Sequence, residues 1–180
     1  MGTKFLFIQK PSSRDIEANQ AFADQHWGEH FHKDDENLDF FAKPDYLAQL
    51  FIDGDLTSSL VIFMRELTFQ EIKYSFAGIG GVVTHAKLRR RGYATRLLQE
   101  SMLRLLPLCD FALLCTDIEK LSPLYSRVGF VPLGRPYFFL DKNGLKKPEI
   151  GSMIAPLSSA SAVDLILHRQ DEIFVGISNF

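Results

Sequence analysis

Val82-Val83-Thr84-His85-Ala86-Lys87-Leu88-Arg89-Arg90-Arg91-Gly92-Tyr93-Ala94-Thr95 reads as a β-branched strand that stops at Thr84, a short basic turn, and the start of an amphipathic helix. Within the turn, Arg89, Gly92 and Ala94 form Arg-x-x-Gly-x-Ala where the helix should begin. The first turn of a helix has N–H groups without intrahelical partners, and the positive end of the helix dipole lies beside them. Gly92 and Ala94 carry no long side chain, so a bulky anion can approach that backbone closely. The stretch predicts a seat for a phosphate or pyrophosphate, made by Arg89, Arg90 and Arg91 and by the backbone of Gly92, Tyr93, Ala94 and Thr95.

Composition fits an enzyme domain. The chain has 180 residues, 46% of them hydrophobic and sixteen of them Phe, enough for a core and of a length that predicts one domain. A formal charge of −2 argues against general attraction to nucleic acid or to an anionic membrane. Three successive arginines are too few for a nucleic-acid patch and suit a bound polyanion better. Phe5-Leu6-Phe7-Ile8 is too short for a signal-peptide core and is soon followed by Lys10, Arg14 and Asp15. Leu6 stands where a myristoylation signal would carry Ser or Thr. The expectation is a cytoplasmic protein with no nucleic-acid or membrane partner, with a homodimer left open. Cys109 and Cys115 read as reduced core thiols, and no metal site is expected. Neither Gly-Lys-Ser/Thr nor Gly-x-Gly-x-x-Gly occurs, which removes the P-loop and dinucleotide folds.

Working outward, residues 4–9 predict a first strand, which Pro11-Ser12-Ser13 ends. Ser12 and Asp15 form a capping-box start for a helix that aligns Ile16, Asn19, Gln20, Ala23 and Trp27 and ends near Gly28. Residues 30–43 are charged and aromatic, with a short helix expected over 35–41. Strands over 46–52 and 56–64 flank the hairpin signal Asp53-Gly54-Asp55. A third long strand covers 72–84, and Gly78, Gly80 and Gly81 inside it signal a bulge or a close approach of backbone. The helix over 92–106 carries a core stripe of Tyr93, Ala94, Leu97, Leu98, Met102, Leu105 and Leu106, and Pro107 closes it. Residues 110–116 are apolar on both faces, as in a central covered strand. A helix over 121–128 with Pro123 in its first turn, a strand over 131–140, an Asn143-Gly144 turn, a strand over 152–157, a short helix within 158–170 and a last strand over 173–175 complete the order.

Leu124-Tyr125-Ser126-Arg127-Val128-Gly129-Phe130 supplies a second motif, Tyr-x-x-x-Gly-Phe. With Arg-x-x-Gly-x-Ala upstream in this order, the chain resembles the GNAT superfamily of acetyl-CoA-dependent N-acetyltransferases, most clearly over residues 77–133. The resemblance implies an α/β (α+β) fold: a central mixed, largely antiparallel, splayed sheet flanked by helices on both faces, with residues 1–180 as a single domain. It implies acetyl-CoA as cosubstrate, with Val82 and Thr84 giving backbone contacts to the pantetheine arm. An oxyanion donor is expected at a backbone N–H near Val83.

Acetyl transfer needs a neutral amine, donors for the developing oxyanion and a proton for the departing thiolate. By resemblance, Tyr125 is the acid that protonates the thiolate; the alternative is a core Tyr tied to backbone. For the base, His85 titrates in the right range, and Asp117 and Glu119 follow the central strand, where they could equally cap a helix. The long segment after Gly129-Phe130, the Asn143-Gly144 turn and the ending Ile173-Phe174-Val175-Gly176-Ile177-Ser178-Asn179-Phe180 look like the aminoglycoside 2'-N-acetyltransferase branch. That likeness implies that the carboxylate of Phe180 binds or deprotonates the amine, against the alternative of a frayed tail. The branch tends to carry an acidic residue where this chain has Gly80. Asp34, Asp35, Glu36, Asp39 and Asp45 could greet a cationic acceptor or simply be solvated. The expected function is acetyl transfer from acetyl-CoA to a primary amine of a small molecule, an aminosugar being one class; the alternative is a non-catalytic acyl-CoA-binding module.

Overall fold

The computed structural model describes residues 2–27 and 43–180. The short helix expected over 35–41 and the acidic residues 34–36 and 39 lie outside the described residues. Strand β1 (Thr3–Gln9) leads through a Ser12 capping box into helix α1 (Ser13–His26), with Asp15 N–H donating to Ser12 Oγ at 3.3 Å and Ser12 N–H to Asp15 Oδ2 at 2.9 Å. Strands β2 (Tyr46–Ile52), β3 (Asp55–Phe69) and β4 (Ile72–Thr84) follow as an antiparallel meander. The β2–β3 turn is the expected Asp53-Gly54 pair, with φ of 50° and 95° at the two residues. Strand β3 runs past the expected end at residue 64 and closes on Gln70-Glu71, at φ of 48° and 64°. That turn has the same mirror-image geometry without a turn residue to announce it.

After β4 come α2 (Tyr93–Leu105), β5 (Phe111–Cys115) and α3 (Ile118–Ser126). Asp117 caps α3 by accepting from Lys120 N–H at 3.3 Å, so the helix starts three residues earlier than expected and Pro123 falls in its second turn, not its first. The single strand expected over 131–140 is two: β6 (Val131–Pro132) joins the main sheet, and β7 (Tyr137–Leu140) leaves it. Gly134, at φ 74°, and Pro136 break the run. Strand β8 (Lys146–Glu149), absent from the sequence reading, pairs with β7 across the Asn143-Gly144 turn. Strand β9 (Ser152–Pro156), α4 (Ala160–His168) and β10 (Phe174–Ile177) end the chain.

The seven-stranded sheet has the order β1-β2-β3-β4-β5-β9-β6, and β10-β7-β8 forms a three-stranded one. In the large sheet only β4 and β5 are parallel, the mixed but largely antiparallel arrangement expected. Side chains alternate between two cores. One face buries Leu60, Ile62, Ala77, Ile79, Ala112 and Leu114 under α2 and α3. The other buries Phe63, Leu67, Phe69, Phe76, Phe111 and Leu113 under α4 and the small sheet. No helix among the described residues is long and apolar enough to cross a membrane.

Candidate active site

Strands β4 and β5 pair only from Phe76–Ile79 against Phe111–Leu114, and then they part. Beyond Ile79, β4 carries a bulge: Ser59 faces Val83 while Val61 faces Gly80, so Gly81 and Val82 together oppose Leu60. Gly81 takes φ of +58°, a left-handed conformation that glycine reaches without steric cost. The bulge turns β4 away from β5 and leaves one edge of residues 80–84 without a strand beside it. His85 N–H donates to Thr57 O at 2.9 Å, and two residues back Val83 likewise faces β3. By alternation, the backbone groups of Thr84 point to the open edge.

A cleft of about 810 Å³ fills the splay. One wall is the α1 face read from the sequence, Ile16, Asn19, Gln20, Ala23 and Trp27; the other includes Gly80, Gly81 and Val82 of β4, Cys115 at the end of β5 and Thr116 after it, and Tyr125 of α3. Tyr125 is buried, its ring edge-on to Phe130 with centroids 6.1 Å apart. Burial pushes its phenol up to about 12, with a hydrogen bond to the Thr116 side chain pulling the other way. Cys115 donates to Glu149 Oε1 and to Ile150 O, each at 3.0 Å, and burial beside that carboxylate pushes its thiol up. Cys109 is buried, and both thiols are free.

Phe180 closes the cleft from the far side. Its ring stacks on Tyr137 with centroids 5.5 Å apart and meets Phe76 edge-on at 6.1 Å. A Cβ added at Gly78 would lie 2.6 Å from Cγ of that ring, and one at Gly80 would lie 2.8 Å from the backbone carbonyl carbon of Phe180. The backbone carbonyl carbon of Phe180 therefore stands over the position from which a side chain at residue 80 would project.

The arginine turn lies at the end of β4, outside the cleft wall. Gly92 is the N-cap of α2 at φ +81° with no side-chain cap, whereas Ser12, Asp117 and Ser159 cap α1, α3 and α4. Around Gly92 an added Cβ would find nothing within 4 Å. The N–H groups of Tyr93, Ala94 and Thr95, in the first turn of α2, thus face an open approach. Arg90, at φ 62°, and Arg91 are exposed. Arg89 instead donates through Nη2 to His26 O, at the end of α1, and through Nε to Thr84 O at 3.4 Å.

The side-chain alternatives for a base sit elsewhere. His85 packs at a tilt against His26 with ring centroids 4.1 Å apart, and its Nδ1 accepts from Lys87 N–H at 3.3 Å. Burial, with His85 and Arg89 nearby, holds His26 below the usual imidazole range. Asp117 is occupied as a cap and as the 2.8 Å ion-pair partner of Lys120; it and Glu119 line a different groove. Asp45 Oδ2 accepts from Met64 N–H at 2.8 Å.

Residues 16–107 match the sequence profile of a family described as acetyltransferase (GNAT) domain. No curated protein matches the chain. Among solved structures it is similar to YhbS, a GNAT family N-acetyltransferase from Escherichia coli in complex with CoA, at 15% identity and a TM-score of 0.62 over 98% of this chain and 91% of that one. It is also similar to the ribosomal-protein-S18-alanine N-acetyltransferase of Escherichia coli, at 14% identity and TM-score 0.55, covering 88% and 97% of the two chains. A GCN5-related N-acetyltransferase from Anabaena variabilis matches at 16% identity and TM-score 0.55 over 72% of this chain. The chain spans 32% of the length of that protein and of two other large structures it matches. At these identities the likeness is one of fold.

Proposed function

This chain belongs to the GNAT acetyltransferase family, and on that premise we propose that it transfers an acetyl group from acetyl-CoA to a primary amine of a small molecule. The observation that carries the reading is the splay itself: β4 and β5 part beside Tyr125, and the uncapped start of α2 follows at the end of β4. The open backbone at Gly92, Tyr93, Ala94 and Thr95 has the donors and the room that a pyrophosphate needs. Exposed Arg90 and Arg91 add charge beside it, and Thr84 presents backbone groups along the open edge for an amide-bearing arm.

Bound acetyl-CoA supplies an acyl thioester, whose leaving group is a thiolate. Tyr125 holds its proton throughout the pH range in which amines become neutral, so its hydroxyl can donate to sulfur as negative charge builds there. Cys115 holds its proton too, which makes it a poor acyl carrier and favours direct transfer to the amine. The base we assign is the carboxylate of Phe180, which attracts an ammonium group and then takes its proton, directly or through an ordered water. This role requires Phe180 to be the last residue.

The acceptor is an amine with an apolar body. Among the described residues, Ile16, Trp27, Val61 and Phe63 give the cleft apolar walls, and the only carboxylate lining it is the one at Phe180. A polycationic aminosugar would meet one anionic partner there. A panel of both amine classes, read by thiol release, separates the two.

Gly92→Asp tests the coenzyme seat. It puts a negative charge against a pyrophosphate and a side chain into a left-handed position, at about 1 kcal/mol of strain. CoA affinity is expected to fall on the order of 100-fold by calorimetry while the melting temperature stays close to that of the parent. Unchanged affinity would remove the pyrophosphate from this loop.

A further inference from the structure

Strand β3 carries Arg65 on the face that receives the end of the chain. Its guanidinium donates through Nη1 to Ser178 O at 2.7 Å and to Val175 O at 3.5 Å, and through Nη2 to Asn179 O at 3.0 Å. The same group lies over the Phe180 ring, 5.5 Å from its centroid, and 5.8 Å from that of Phe63. A planar fork of donors holds two successive carbonyls in a fixed geometry, which the point charge of an ammonium does not impose. Around it, the side-chain amide of Asn179 accepts from Tyr137 OH and donates to Glu149 Oε2, while Ser178 N–H donates to Leu140 O at 2.8 Å.

We propose that Arg65 is a positioning residue that clamps the chain end, holding Phe180 against Gly78 and Gly80 so that its carboxylate stands in the acceptor cleft. The geometry has a specific consequence. Arg65 uses its donors on main-chain carbonyls, and none of the described side chains donates to the Phe180 carboxylate. The cation that fixes the carboxylate in place therefore leaves its oxygens free of the described side chains, for a substrate ammonium to meet. The clamp rests on the proposed reaction for its purpose but not for its existence, since contacts to residues 175, 178 and 179 are independent of what the cleft binds.

Carboxypeptidase A removes an accessible C-terminal aromatic residue, and loss of Phe180 is read by intact mass. The parent protein should be trimmed slowly. Arg65→Ala should be trimmed at least about tenfold faster, because charge-assisted hydrogen bonds that dock the tail are gone. Arg65→Lys, which keeps the charge and loses the fork, should lie between the two. Gly78→Ala should release the tail with the clamp intact, since the three atoms nearest its Cβ all belong to the Phe180 ring. In acetyl transfer, Arg65→Ala should lower kcat with the KM for acetyl-CoA unchanged, and added ethylguanidinium should restore part of the rate. Trimming of both Arg65 variants at the parental rate overturns the clamp. Faster trimming with undiminished transfer upholds the clamp and removes Phe180 from the chemistry, so the two ideas fail separately.

Discussion

Tyr125→Phe is expected to lower turnover with acetyl-CoA and an amine on the order of 10²-fold or more, the scale of a lost general acid, while CoA affinity stays as it was. The substitution deletes one hydroxyl from a buried ring and keeps the edge-on contact with Phe130, so the fold should tolerate it. The pH profile of the parent provides a companion test. The acid must be protonated to act, and its phenol is pushed up to about 12 by burial. Activity should therefore rise as the amine loses its proton and show no alkaline fall up to about pH 10, where an ordinary tyrosine would be half ionised. Parental turnover in Tyr125→Phe would make Tyr125 a packing residue.

A short polar extension placed after Phe180 should be nearly as damaging. It removes the terminal carboxylate from the space above Gly80 and adds chain to a site already tight enough that a methyl group at residue 78 or 80 would collide with Phe180. Transfer should drop roughly 10²-fold, the lower range for a general base, with CoA binding as the folding control. The same tag at the N-terminus should be harmless, because Gly2 N–H is bonded to Asp53 Oδ1 at the hairpin turn on the sheet edge. Equal rates for the two tagged forms would remove the Phe180 carboxylate from the role of base.

Much of this arrangement is legible in the residues. Ser12 and Asp15 announce α1, Asp53-Gly54 its hairpin, and the α1 stripe from Ile16 to Trp27 lines one wall of the cleft. The glycines of β4 have two separate duties that one sequence pattern cannot separate: Gly81 makes the bulge, while Gly78 and Gly80 make room for Phe180. Other features leave no local mark. Gln70-Glu71 is a turn forced by the pairing of β3 with β4 and has none of the usual turn residues. The run over 131–140 reads as one strand because both pieces are apolar; Gly134 and Pro136 mark the break locally, but only tertiary pairing sends the two pieces to different sheets. Arg65 falls one residue past the strand expected over 56–64, and nothing local marks it, since its partners lie more than a hundred positions away. Arg89 belongs to the coenzyme motif by spacing, yet its guanidinium holds the end of α1.

The most direct test of the account is acetyl transfer itself. The full chain is incubated with acetyl-CoA and, in turn, with arylalkyl monoamines and with aminosugars. Thiol release is followed continuously, and the product is identified by mass. The account predicts saturable, amine-dependent thiol release with one acetyl group gained by the amine, fastest for acceptors with apolar bodies. Tight CoA binding with no amine-dependent release from any member of the panel would contradict it, and would leave an acyl-CoA-binding module in place of an enzyme.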